Sequence, residues 1–244
     1  MKGYAITDIG KVRSENQDSV RYTENVSPAF GILAVCDGMG GAKAGSIASA
    51  TALDIFVGRV SAHLANRRDK TKLDNAVLEA VDEANAVVYE HSLADLACEG
   101  MGTTLVAALV TAKSCRVVNV GDSRAYLISG DTITQVTRDH SFVEDLVERG
   151  IISRADARTH PRKNIITRAV GVEPMVECDV FAPKLKKNDL LLLCSDGLTN
   201  AVADEELLET VSQCKDLEKA AQALLDLALQ RGAPDNVTVG LLRK

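Results

Sequence analysis

The chain has 244 residues, a formal net charge of -6, 46% hydrophobic residues, 3% aromatics and no Trp. That length suits one large domain with a substantial core, and the core must be built from Ala, Val, Leu and Ile. The acidic balance, without a basic stripe or interleaved aromatics, argues against nucleic acid. No window approaches the ~18 uninterrupted apolar residues of a membrane span.

The chain starts Met1-Lys2-Gly3-Tyr4, which lacks the apolar stretch of a secretory leader. Six cysteines (Cys36, Cys98, Cys115, Cys178, Cys194 and Cys214) are scattered, with no Cys-x-x-Cys pair. Cys36 and Cys194 lie in apolar runs, where a thiol serves as a small hydrophobe. We therefore expect reduced core thiols in a cytoplasmic protein.

Tyr4 to Thr7 reads as a short strand, followed by a polar turn. Asn16-Gln17-Asp18 leads into a second strand, and Ala29 to Cys36 makes a mostly buried third. Val35-Cys36-Asp37-Gly38-Met39-Gly40-Gly41 then breaks into glycines before a helix from about Lys43 to Leu64, with Ala44, Ala48 and Ala52 on a thin face. A second helix spans about Leu73 to Leu93. Four strands follow with short connections: Leu105 to Thr111, Cys115 to Val120, Arg124 to Ile128 and Thr132 to Val136. They predict an antiparallel meander. From Arg138 to Val170 the pattern is irregular and charged. Ser141 can cap a short helix to Glu148, and Ser153-Arg154-Ala155-Asp156 can cap another. Strands return at Val176 to Phe181 and Asp189 to Cys194. Helices near Asp204 to Ser212 and Asp216 to Arg231 precede a last strand, Asn236 to Leu242. No repeat or linker appears, so residues 1–244 are expected to form a single domain.

Strand, glycine turn and helix around Asp37 suggest a phosphate cradle at a helix N-terminus. Lys43, however, stands where the third glycine of a dinucleotide fingerprint should be, and Asp37 puts negative charge where phosphate would approach. A carboxylate there makes sense with a cation between it and the phosphate. Asp18, Asp122, Asp196 and Asp235 also flank strand-like runs. Strand ends converging at one edge could collect all five for hard divalent ions such as Mg²⁺ or Mn²⁺. Any single Asp beside Gly is more economically a turn residue; the set carries the inference.

In order, the chain reads Arg13-Ser14-Glu15-Asn16-Gln17-Asp18, Asp37-Gly38-Met39-Gly40-Gly41, Gly102-Thr103-Thr104, Val120-Gly121-Asp122-Ser123-Arg124, Ser195-Asp196-Gly197-Leu198 and Pro234-Asp235-Asn236-Val237-Thr238. This series resembles the metal-dependent serine/threonine phosphatases of the PP2C (PPM) family, bacterial type. The resemblance implies an α+β fold, an α-β-β-α sandwich of two antiparallel sheets flanked by helices, with a flap excursion at about residues 141–170. It implies that Asp37 bridges a two-metal centre of Mn²⁺ or Mg²⁺, with the Gly38 carbonyl, Asp196 and Asp235 as further core ligands. Asp18 matches the position that holds the second metal through water, and Asp122 the ligand of a third, looser ion. Arg13 matches the phosphate-binding arginine, whose planar fork suits two phosphoryl oxygens. The implied partners are phosphorylated proteins and the serine/threonine kinase that makes them, and a monomer is expected.

The chemistry is self-consistent. Two divalent ions ~3.5–4 Å apart lower the pKa of a shared water and create hydroxide at neutral pH. In-line attack on phosphorus then needs no covalent intermediate. Eukaryotic members that the chain resembles carry a histidine after Asp-Gly as general acid; Met39 stands here and cannot donate a proton. His140 and His160 are available, although a structural hydrogen-bonding role for His140 is the simpler reading. Arg154, Arg158, Arg162 and Lys163 of the flap could meet acidic phosphopeptides or simply be solvated. Two rivals remain: a serine hydrolase using Ser123 in Gly121-Asp122-Ser123, and a non-catalytic phosphoprotein-binding scaffold.

Overall fold

A computed structural model describes residues 1–41, 43–66 and 72–244. Period-two alternation decides its layering. In β3 (Ala29–Met39), Ile32, Ala34 and Cys36 join one apolar cluster while Leu33 and Val35 join another. The same split runs through β5 (Leu105–Thr111): Leu105, Ala107 and Leu109 face one way, Val106, Ala108 and Val110 the other. In β10 (Leu190–Cys194), Leu191 and Leu193 meet the cluster of Leu33 and Val35, while Leu190, Leu192 and Cys194 face a third cluster. A strand buried on both faces needs no polar alternation, hence the uninterrupted Leu-Leu-Leu-Leu-Cys. Each fully buried leucine there adds roughly 1.5–3 kcal/mol of transfer free energy.

Three cores therefore separate four layers. The middle core lies between two antiparallel sheets. One sheet has the order β1 (Lys2–Asp8), β11 (Val237–Arg243), β10, β7 (Arg124–Ser129), β8 (Thr132–Gln135). The other runs β2 (Asp18–Val26), β3, β5, β6 (Cys115–Val120), β9 (Asp179–Phe181), with the short β4 (Gly102–Thr103) beside β3. Helices α1 (Ala44–Ala65) and α2 (Leu73–Ala94) cover the second sheet. The small face of α1, through Ala44, Ala48 and Ala52, is fully buried against it. Helices α6 (Asp204–Gln213) and α7 (Leu217–Gln230) cover the first sheet. Leu217, Ala221, Leu224 and Ala228 of α7 form the buried stripe, and Asp216 caps it by accepting from the Lys219 amide. This is the α-β-β-α sandwich. Among the described residues no helix is long and apolar enough to cross a membrane.

Three expectations need correction. The four-strand meander is divided: β5 and β6 pair in one sheet, while β7 and β8 pair in the other. The crossing is at Gly121, whose φ of +103° is open to glycine and strained for other residues. The strand expected from Val176 is only Asp179–Phe181. Gly38 makes no turn. β3 continues through Met39, and a side chain at Gly38 would overlap the carbonyl oxygen of Gly45 at the start of α1. Its smallness lets α1 approach the strand end; the chain turns at Gly40, φ +143°.

The excursion holds α3 (Phe142–Glu148) and α4 (Arg154–Thr159). Ser141 accepts from the Glu144 amide, and Ser153 and Asp156 form a reciprocal capping box. Bridges Ser141–Ile166 and Thr103–Val170 fasten the returning chain beside the second sheet.

Candidate metal centre

Strand polarity brings the aspartates together. Asp18 begins β2 and lies directly opposite Asp37, near the end of β3. In the other sheet, Cys194 at the end of β10 pairs with Arg124 at the start of β7 and with Val239 near the start of β11. Asp196, Asp122 and Asp235 adjoin those three ends and so share one edge of that sheet. A four-residue helix, α5 (Asp196–Thr199), which the sequence reading missed, starts at Asp196 itself.

The backbone of Asp37 is gripped by the Gly102-Thr103-Thr104 segment. Its N–H donates to Thr104 Oγ1 at 2.9 Å, and its carbonyl accepts from Thr103 Oγ1 and the Thr104 N–H, each at 2.9 Å. Asn236 does the same for the loop before β2. It accepts from the Gln17 N–H at 2.8 Å and donates to the carbonyls of Ile9 and Glu15 at 2.9 and 3.0 Å. These holding roles escape sequence reading. Thr104 and Asn236 stand inside the quoted motifs, which is the only signal that marks them.

Burial dominates the electrostatics, and crowding of like charges adds to it. Burial pushes the Asp37 carboxyl well above the usual carboxylate range, and repulsion from Asp18, Asp196, Asp122 and Asp235 pushes the same way. Burial likewise raises Asp122 to about 8, with Asp196 and Asp139 adding to it. Asp18 is raised to about 6 by burial, opposed by hydrogen bonds from Thr238 and Ser195. Asp196 is raised by burial and by Asp235, against relief from Asn200 and Lys163. Asp18 Oδ1 is buried with no partner among the described residues. Arg13 donates to Asp235 Oδ2 at 2.8 Å, but the half-buried Arg124 spends its guanidinium on Asp139 and Tyr126.

Five carboxylates gathered from strand ends, of which only Asp235 has an ion-pair partner among the described residues, have the donor chemistry of a hard divalent ion site. Among the described residues no three His, Cys, Asp or Glu side chains close into a ready-made cage. Mg²⁺ and Mn²⁺ rarely need one, because carbonyls and waters complete their shells.

Other candidates are placed as clearly. His140 Nδ1 accepts from the Gly121 N–H at 3.1 Å, and Nε2 meets Asp179 Oδ2 at 3.2 Å, so both ring nitrogens are engaged. Its backbone N–H also holds the Gly121 carbonyl at 2.9 Å. His140 thus pins the turn before Asp122, and burial lowers its pKa. His160 accepts from the Arg162 N–H and packs on Phe142. A cleft of about 150 Å³ beside Asp122 and Asp196 is lined by Arg154, Arg158 and Lys163. Arg154 pairs with Glu144 and Lys163 with Asn200, while Arg162 stacks over Phe142.

Ser123 is fully buried, and its hydroxyl pairs with Thr104 Oγ1 at 2.7 Å, not with a histidine. Ser123→Ala should therefore cost about 1 kcal/mol of stability and leave hydrolysis within a few-fold of wild type. A nucleophile would lose on the order of 10⁶-fold, which a steady-state assay separates at once.

Comparison with known proteins agrees with the fold. The profile of the family described as Protein phosphatase 2C matches residues 3–237. The serine/threonine phosphatase stp of Listeria innocua is 41% identical over 241 residues, 98% of this chain and 94% of that protein. The crystal structure of the serine/threonine phosphatase Stp1 from Staphylococcus aureus matches with a TM-score of 0.90 at 37% identity, covering 100% of this chain and 94% of that one. The catalytic domain of the serine threonine protein phosphatase PstP, solved in complex with 2 manganese ions, gives a TM-score of 0.82 at 35% identity, covering 98% and 96%. The chain belongs to the protein phosphatase 2C family. It is an enzyme, a protein phosphatase.

Proposed function

We propose that residues 1–244 form a single phosphatase domain that hydrolyses phosphoserine and phosphothreonine in proteins with the help of divalent metal ions. One observation carries the reading: five aspartates converge from both sheets with their charge largely unneutralised. Asp37, the Gly38 carbonyl, Asp196 and Asp235 would hold two core ions of Mn²⁺ or Mg²⁺. Asp18 would hold the second through water, and Asp122 a third, looser ion. Such ions, when bound, supply Lewis acidity toward the phosphoryl group and a more acidic water.

The chain's own residues do the rest. Thr103 and Thr104 hold Asp37 from its backbone, so its carboxylate is aimed before substrate arrives. Arg13 has a half-exposed side chain at 53% and is tethered by one nitrogen to Asp235. Its remaining N–H donors have no partner among the described residues and can fork two phosphoryl oxygens. Met39 has no proton to give, His140 is committed at both nitrogens and His160 is packed on Phe142 within the flap, so the departing serine or threonine oxygen takes its proton from water. Residues 141–170 act as a flap over the cleft beside Asp122. The substrates are products of a serine/threonine kinase, and the enzyme acts as a monomer in the cytoplasm, reversing that kinase's signal.

The test is chelation followed by add-back on phosphoserine, phosphothreonine and phosphotyrosine peptides. Activity on the first two should vanish with EDTA and return with Mn²⁺ or Mg²⁺. Chelator-indifferent ester hydrolysis would point to a serine hydrolase, and phosphopeptide binding without turnover to a scaffold; either overturns the reading.

A further inference from the structure

Two motif residues have no role so far: Ser195 beside Asp196, and Thr238 three residues after Asp235. Both are fully buried, and both reach Asp18 from the opposite sheet. Asp18 Oδ2 accepts from Ser195 Oγ at 2.7 Å and from Thr238 Oγ1 at 2.6 Å. We propose that Ser195 and Thr238 are positioning residues that lock the Asp18 carboxylate with Oδ1 presented to a cation. This rests on the metal-dependent reading above.

Proton directions make the lock specific. A hydroxyl carries one proton, and Thr238 spends its own on Asp18. In the 2.7 Å contact between Thr7 and Thr238, Thr7 must then donate. Thr7 in turn accepts from Asn16 Nδ2 at 3.0 Å, and the Asn16 amide oxygen accepts the Asp18 N–H at 3.1 Å. The ring closes on the residue where it began. Ser195 Oγ also accepts from the Thr238 N–H at 3.1 Å, which ties the two hydroxyl carriers together. Every member is satisfied only when Oδ2 acts purely as an acceptor. The carboxylate cannot swivel without breaking two hydroxyl bonds, so Oδ1 keeps its direction, buried and unpartnered among the described residues.

Ser195 supplies an independent indication. It is the N-cap of α5, where a serine ordinarily accepts from an amide of its own helix. No such cap bond forms here. The hydroxyl oxygen accepts from the Thr238 N–H instead, which leaves its proton directed at Asp18 and the first turn of the helix uncapped. A single link thus joins carboxylates of both sheets: Asp18 from one, and the neighbours of Asp196 and Asp235 from the other. Groups that orient a metal-binding side chain typically govern affinity by roughly 10–100-fold.

The experiment titrates the full chain, stripped with chelator and dialysed, with Mn²⁺ by isothermal calorimetry. Wild type, Asp18→Asn, Thr238→Val, Thr238→Ser and Ser195→Ala are compared, with melting temperatures measured in EDTA. Asp18→Asn should lose or weaken one class of site. Thr238→Val should weaken the same class by ~10–100-fold and Ser195→Ala by ~10-fold or more, while Thr238→Ser should restore it to near the wild-type value. If Asp18→Asn loses the site but Thr238→Val and Ser195→Ala bind as wild type, the positioning role is wrong, whatever their melting temperatures do. Wild-type uptake with an unaffected Asp18→Asn removes Asp18 as a ligand and the proposal with it. No Mn²⁺ uptake by wild type overturns the metal-dependent reading itself. Should Thr238→Val fail to fold by circular dichroism, Ser195→Ala with Thr238→Ser decides the matter.

Discussion

Asp37→Asn should cut metal-dependent phosphatase activity by at least ~10²–10³-fold, the scale on which removal of one electrostatic stabiliser acts. It should also raise the melting temperature of the chelator-treated protein. The two effects have one cause. Asp37 sits directly opposite Asp18 in the β2–β3 pairing, and burial together with four neighbouring aspartates disfavours its ionised form. An acid whose folded pKa is raised withholds stability at neutral pH, because the unfolded chain ionises it more easily. Asparagine keeps the shape and removes the charge, while Thr103 and Thr104 still hold the backbone. On the proposed reading the native enzyme carries a carboxylate that costs the metal-free fold stability and would serve only with a cation present. A phosphopeptide assay and calorimetric melting in EDTA check both halves. Normal turnover by Asp37→Asn would remove Asp37 from the chemistry. A lower melting temperature would mean the carboxylate makes a stabilising contact that outweighs the repulsion.

Much of this arrangement is legible in the sequence, because the strands and helices alternate cleanly. The period-two runs of β3, β5 and β10 are buried on both faces, as their composition suggests, and the alanine ladder of α1 lies against the sheet. Which sheet each strand joins is another matter. β6 and β7 look like neighbours in a meander, yet Gly121 sends them to different sheets. The chain crosses there with a positive φ, and a glycine in a Gly-Asp-Ser turn does not announce its φ. The candidate site is similarly half readable. Aspartates flanking strands are visible, but their convergence depends on strand polarity across two sheets. Long-range bonds such as Asn236 to Ile9, more than two hundred residues apart, leave no local pattern. Ser123 shows the opposite hazard. Its motif is suggestive, and only burial and the Thr104 bond reveal a packing residue.

The metal-free protein should lose stability as pH rises from 6.5 to 8, and saturating Mn²⁺ should abolish that loss. Asp18, raised to about 6, and Asp122, raised to about 8, both hold protons more tightly in the folded chain than in the unfolded one. Their stability is fully present below the unfolded pKa near 4 and disappears as pH climbs through the folded values. His140 runs the other way: its pKa is lowered, so the stability it gives is present above ~6.5 and lost as pH falls. Below pH 6.5 the two trends oppose each other; above it the contribution of His140 levels off, and the raised acids Asp122 and Asp37 are left to titrate. At 1.36 kcal/mol per unit the loss from pH 6.5 to 8 is about 1–2 kcal/mol, or a few degrees in melting temperature for a chain of this size. Asp122→Asn should make the EDTA profile shallower, since an amide has no proton to lose, while Asp37 keeps part of the slope. A cation bound at the carboxylates should flatten it as well, because it holds them ionised in the folded state. A flat profile for wild type in EDTA would show that these acids are already ionised at little cost. A slope that persists in Mn²⁺ would show that the ion does not reach Asp122, leaving that residue outside the metal centre.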